Sequence, residues 1–87
     1  MKNIRLDSGL NLKVHDEVVK DYRFFEDLSD LNEGNPFAIR RVLNRLLDPD
    51  EKEKLMKHFE KDGFVPTEKI TEVVSELFVK LGSEAKN

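Results

Sequence analysis

Three residues, Gly34-Asn35-Pro36, do most to limit what this chain can become. Glycine after a periodic stretch is a helix stop, because it takes the left-handed backbone of a C-terminal cap without steric cost. Asparagine followed by proline is a helix start: the Asn35 side chain can accept from the first free N–H groups, and Pro36 sits where a missing N–H costs nothing. One helix must therefore end and another begin within three residues. Asp48-Pro49-Asp50-Glu51 repeats the start signal, with Asp48 as cap, Pro49 at the first position and Glu51 closing a capping box. Asp62-Gly63 and Gly82 read as further stops.

The apolar periods between these marks predict a mainly α, four-helix compact domain with a short N-terminal β-hairpin. Residues 4–14 alternate, Ile4 and Leu6 before a turn at Asp7-Ser8-Gly9, and Leu10, Leu12 and Val14 after it. A hairpin alone is barely stable in water, so its apolar face must rest on helices. The first helix is expected over 16–32, capped by Asp16, with Val18, Tyr22, Phe24, Phe25, Leu28 and Leu31 on its inner face. The second, over 36–47, buries Ile39, Val42, Leu43, Leu46 and Leu47. The third, over 49–61, has a narrow stripe of Leu55, Met56 and Phe59. Phe64-Val65 is extended because the residue before Pro66 avoids the α region. The fourth helix, over 67–81, carries Ile70, Val73, Val74, Leu77, Phe78 and Leu81, and 83–87 reads as a flexible tail. Residues 1–82 thus form one domain.

Charge narrows the function. Of 87 residues 38% are charged, and 18 acids against 15 bases leave a net charge of −3. A domain that lives on DNA shows a basic excess, and this chain has none. There is no cysteine, so thiol chemistry and cysteine-ligated zinc are excluded. No apolar run approaches the roughly 18 residues of a membrane span. The opening residues, MKNIRLDSG, lack the apolar core of a signal peptide. A cytoplasmic protein with no membrane contact is the expectation.

No constellation points to catalysis, a metal or a cofactor. His15 and His58 have no serine or cysteine nucleophile at a recognisable spacing. Asp48-x-Asp50 opens like a calcium loop, but Lys52 and Glu53 stand where an oxygen ligand and a glycine are required. The second and third helices can be drawn as a helix-turn-helix, which makes a small DNA-binding regulator the alternative reading. The arginines, however, lie on the first of those helices, whereas base readout belongs to the second. Protein binding fits better. The first helix has an acidic exterior that includes Asp27 and Asp30. The second has an exterior of Arg40, Arg41 and Arg45 with Phe37 among them, off the buried stripe. Val19 and Val79 are also off their stripes. Separated opposite charges beside exposed apolar residues suit head-to-tail self-association. The expected contact sets Phe37, Arg40, Arg41 and Arg45 of one copy against Asp27 and Asp30 of the next.

The order of parts — "DYRFFEDLSDL", the break "EGNP", "FAIRRVLNRLL", "DPDEKEKLMKHFEKDGFVP" and "EKITEVVSELFVKL" — resembles the small tail assembly chaperones of long-tailed phages and prophages. The likeness covers 4–81. It is most specific in Asp21-Tyr22 with Phe25 and Leu28, in Gly34-Asn35-Pro36, in Leu46-Leu47, and in Leu55 through His58, Asp62-Gly63 and Val65. The chain departs at Tyr22, where that family more often has tryptophan. The resemblance implies a mostly helical, non-catalytic protein that binds the tape measure protein, coats it and self-associates until the tail tube protein assembles around it. It also implies a longer, frameshifted form that reaches the tail tube protein. Ala85-Lys86-Asn87 can be encoded by GCA-AAA-AAC, which contains a slippery heptamer.

Overall fold

The structure is a computed structural model that describes residues 1–85. Two strands, β1 (Lys2–Arg5) and β2 (Asn11–Val14), pair antiparallel with Ile4 opposite Leu12 and Lys2 opposite Val14. The period of two then places Ile4, Leu6, Leu12 and Val14 on one face, all buried. The turn is closed by the Leu6 N–H on the Leu10 carbonyl at 2.8 Å and the Gly9 N–H on the Leu6 carbonyl at 2.8 Å. Four helices follow: α1 (Tyr22–Asn32), α2 (Ala38–Leu46), α3 (Pro49–Phe59) and α4 (Thr67–Ala85). The expected mainly α fold with an N-terminal hairpin is what forms.

The core is one cluster fed by every element. The hairpin's four residues meet Phe24 of α1, Val42, Leu43 and Leu46 of α2, Leu47 after it, Leu55 of α3, and Ile70, Val73, Val74, Leu77 and Leu81 of α4. Each such side chain taken out of water contributes about 1.5–3 kcal/mol before entropy is counted. Polar bonds fix the hairpin to α4. Lys80 Nζ donates to the Arg5 carbonyl at 2.6 Å and Glu76 Oε2 at 2.8 Å, while the Asp7 N–H donates to Glu76 Oε2 at 2.6 Å.

The first helix is not continuous over 16–32. Asp16–Lys20 is a 3-10 segment with no side-chain cap, so Asp16 does not serve as one. Asp21 is extended, and its Oδ1 accepts from the Arg23 N–H at 2.9 Å, which makes Asp21 the cap of α1. The extended residue resets the helical phase. Val18 and Val19 both pack on the core ahead of the break, whereas Tyr22 and Phe25, expected inside, are 74% and 59% exposed.

At Gly34 the stop signal is realised in full. Gly34 has φ +96°. Its N–H donates to the Leu31 carbonyl at 3.1 Å and the Asn35 N–H to the Asp30 carbonyl at 3.0 Å, the two bonds of a Schellman cap. Asn35 Oδ1 accepts from the Phe37 N–H at 3.1 Å, so Asn35 does cap the next turn, with regular α2 beginning at Ala38.

The start of α3 differs from expectation. Neither the Asp48 side chain nor Glu51 forms a capping box. Asp48 Oδ1 is instead taken by His15 Nε2 at 2.8 Å, and Glu51 is buried beside Lys54 Nζ at 2.8 Å. The His15 N–H also donates to the Leu46 carbonyl at 2.8 Å, which ties the end of β2 to the α2–α3 corner. Asp62 (φ +53°) and Gly63 (φ +89°) make a two-residue turn closed by Lys61 and Phe64, as positive φ at both central positions requires. The helix itself stops earlier, at Phe59.

Gly82 does not end α4, which runs on to Ala85. A glycine costs a helix about 1 kcal/mol, less than the anchoring from buried Leu77 and Leu81. The first three residues of the expected tail are therefore helical. Lys86 and Asn87, with the frameshift reading attached to them, lie outside the described residues.

Candidate functional site

Asp27 and Asp30 stand three residues apart on α1, and Arg41 and Arg45 four apart on α2. Each spacing puts both side chains on one helix face, and the Schellman turn brings the faces together. Arg41 Nε donates to Asp27 Oδ1 at 2.9 Å, Arg45 Nε to Asp27 Oδ2 at 2.6 Å, and Arg41 Nη2 to Asp30 Oδ2 at 2.8 Å. Asp27 is 7% exposed. Its burial acts to raise the carboxyl pKa, but the hydrogen bonds from Arg45 and Arg41 outweigh that and hold it below the usual carboxylate range.

This clamp corrects the expected contact between copies. The charges assigned to two chains satisfy each other within one. The missed signal was already in the sequence: an acid pair and an arginine pair at matching helical spacing on either side of a tight turn. Of the expected partner residues, Phe37 (79% exposed), Val79 (64% exposed) and Arg40 remain outward. Val19 is half-buried and packs on the core.

The rest of the candidate helix-turn-helix surface is mixed in charge. Lys54 and Lys57 of α3 face Glu51 and Glu53 at 2.8 and 3.9 Å, and Lys52 Nζ donates to Asn44 Oδ1 at 2.9 Å. His15 and His58 are both engaged, His15 by Asp48 and by Glu17 at 3.3 Å, His58 by Ser8 Oγ at 3.1 Å. The Asp48 hydrogen bond is the main reason that the His15 pKa lies above its ordinary value, with partial burial opposing it and the Asp48 and Glu17 charges adding to it. Among the described residues no group of three His, Asp or Glu side chains is arranged to hold a metal. No helix there is long and apolar enough to cross a membrane.

The feature that sequence reasoning did not find lies on the other side of α1. Of six phenylalanines, four (Phe25, Phe37, Phe64 and Phe78) are exposed. Two of these, Phe25 and Phe78, line a groove of ≈ 570 Å³ between α1 and α4. Among the described residues, Leu28, Leu31, Val74 and Val79 add to its apolar lining, Ser29, Asn32 and Ser75 form its polar part, and Glu33 is its one charged residue. A shallower hollow alongside is lined by Tyr22, Phe25, Glu26, Ser29, Asp30 and Glu33. Tyr22, Phe25 and Phe78 fit an inward stripe by periodicity, but once Val18 is cut off from α1 at Asp21 the inner face of α1 centres on Phe24, Leu28 and Leu31 and leaves Tyr22 and Phe25 outward. A contiguous apolar surface of this kind marks an interaction site more often than an isolated exposed side chain does. Comparison with protein-family models, with curated proteins and with solved structures finds no match to this chain.

Proposed function

We propose that this chain is a non-catalytic tail assembly chaperone of a long-tailed phage or prophage, which binds the tape measure protein and coats it in many copies during tail assembly. The observation that carries the reading is the apolar groove between α1 and α4 on an otherwise charge-rich domain. A long helical client with exposed apolar stripes aggregates unless it is covered. A small domain with one apolar face and a charged remainder covers such a stripe and keeps the complex in solution. Coating is stoichiometric and needs no reacting group. Self-association along the client is part of this proposal, with Phe37 and Arg40 as the contacts left for it, since Arg41 and Arg45 are engaged by Asp27 and Asp30.

The same engagement weighs against the DNA-binding alternative, because a guanidinium held by a carboxylate is a poor phosphate ligand. Co-expression with a tape measure protein tests the proposal. The expected outcome is that the client moves from the insoluble to the soluble fraction and co-purifies with this chain. A client that stays insoluble, together with salt-sensitive binding of this chain to duplex DNA, favours the regulator.

A further inference from the structure

We infer that the groove between α1 and α4 receives one amphipathic helix of a partner protein, whose apolar stripe is flanked by lysine or arginine. The inference rests on the protein-binding reading above and adds where the partner sits and what chemistry it carries. Of its apolar lining Val74 is buried, Leu28 and Leu31 are half-buried, and Phe25, Phe78 and Val79 are exposed. α1 and α4 line the two sides of this trough, and a third helix fills such a trough with side chains spaced i, i+3, i+4 and i+7.

Charge selects the occupant. Among the described residues Glu33 is the one charged residue lining the groove, and Glu26 and Asp30 border the adjoining hollow. Asp30 is taken by Arg41, whereas Glu26 and Glu33 make no ion pair among the described residues. On the α4 wall the described lining residues are Val74, Ser75, Phe78 and Val79, none of them charged. A basic flank on the partner is therefore met by free carboxylates on the α1 side and, among the described residues, by no cation on the α4 side.

A second copy of this chain fits less well. Groove against groove sets Glu26 and Glu33 near their own images. The arginine face of α2 has one guanidinium to offer, that of Arg40, beside the single ring of Phe37. One ring and one charge cover little of a six-residue apolar trough.

The test uses the intact chain and two synthetic 18-residue amphipathic peptides with the same leucine stripe, one flanked by lysine and one by glutamate. Anisotropy reads affinity, and backbone amide shifts locate the site. The expected result is saturable binding of the lysine peptide, at least tenfold tighter than the glutamate peptide, with the largest shifts in α1 and α4. Val79→Asp should weaken the lysine peptide at least tenfold, and the double change Glu26→Lys with Glu33→Lys should invert the preference. Circular dichroism confirms that these surface variants fold. Equal affinity for both peptides, shifts confined to α2 and α3, or a groove buried in a homodimer by sedimentation each overturn the inference. Solubilisation of a tape measure protein that survives Val79→Asp also overturns it while leaving the chaperone reading intact. Binding of the lysine peptide in the groove without any rescue of the tape measure protein does the reverse.

Discussion

The two flanks of α1 are finished in opposite ways. Asp27 and Phe25 lie roughly 160° apart about the helix axis at 100° per residue. On Asp27's side the charged groups pair within the chain: one carboxylate takes the Nε of both Arg41 and Arg45, and Asp30 takes Arg41 Nη2. On Phe25's side the apolar surface is only half covered, and the carboxylates of Glu26 and Glu33 have no partner among the described residues. The first flank is built to hold α1 on α2. The second is surface whose covering is left for something else. Conspicuous charge in a sequence is thus no guide to where a partner binds, because opposite charges at matching spacing are the ones most readily consumed by folding.

Breaking the clamp should have the largest effect. Asp27→Ala leaves the Arg45 guanidinium without its acceptor and Arg41 with Asp30 alone. A cost of about 2–3 kcal/mol is expected, the range for hydrogen bonds to charged groups in a part-buried setting. Val79→Ser on the other flank removes an exposed methyl pair and should stay within about 0.5 kcal/mol. Urea unfolding of the two variants beside the parent measures both. Equal losses would erase the distinction between the flanks. The clamp also has a pH signature. Because the Asp27 pKa is lower folded than unfolded, its contribution is present above the ordinary carboxyl range and disappears as pH falls through the folded value. Asp27→Asn should flatten that part of the acid limb.

A smaller effect separates the two arginines. Arg45 Nε sits at 2.6 Å from Asp27 and its side chain is 33% exposed, whereas Arg41 is 46% exposed but reaches both acids. Replacing either with alanine should cost about 1 kcal/mol. The Asp27/Arg45 double-mutant cycle should return a coupling of about 1 kcal/mol, and a cycle pairing Arg45 with Val79 none. Coupling near zero for Asp27 and Arg45 would mean that solvent screens the clamp as it does a surface pair.

How far the sequence could be read follows from what each signal depends on. The hairpin alternation through Ile4, Leu6, Leu12 and Val14 and the cap at Gly34 depend on a few adjacent residues, and both appear as expected. The inner face of the first helix depends on an unbroken 100° rotation. Asp21 competes for the backbone through its side chain and separates Val18 from α1, whose own inner face through Phe24, Leu28 and Leu31 leaves Tyr22 and Phe25 outside. Gly82 shows the converse: a local stop signal is overridden because the helix around it is anchored by long-range burial. The clamp needed two helix faces to be compared across a turn. The groove needed the relative placement of α1 and α4, which no local pattern encodes.

The smallest expected effect concerns the joint just past the C-terminus of α2, and it asks whether burial is what makes the clamp strong. His15 Nε2 and Asp48 Oδ1 meet at 2.8 Å, as short as the arginine bonds, but Asp48 is 46% exposed against 10% for the Asp27 side chain. The hydrogen bond to Asp48 raises the folded-state pKa of His15 above its unfolded value. The folded state then binds the proton more tightly, so this contribution is full below about pH 6.5 and is lost as pH rises through the higher folded value. Screening at a half-exposed partner keeps it to roughly 0.5 kcal/mol. Stability measured from pH 6 to 8 should fall by that amount in the parent and stay flatter in His15→Gln. A loss in His15→Gln as large as that of Asp27→Ala would show that a half-exposed pair can hold α2 as firmly as a buried one, and would remove burial as the reason the two arginines matter.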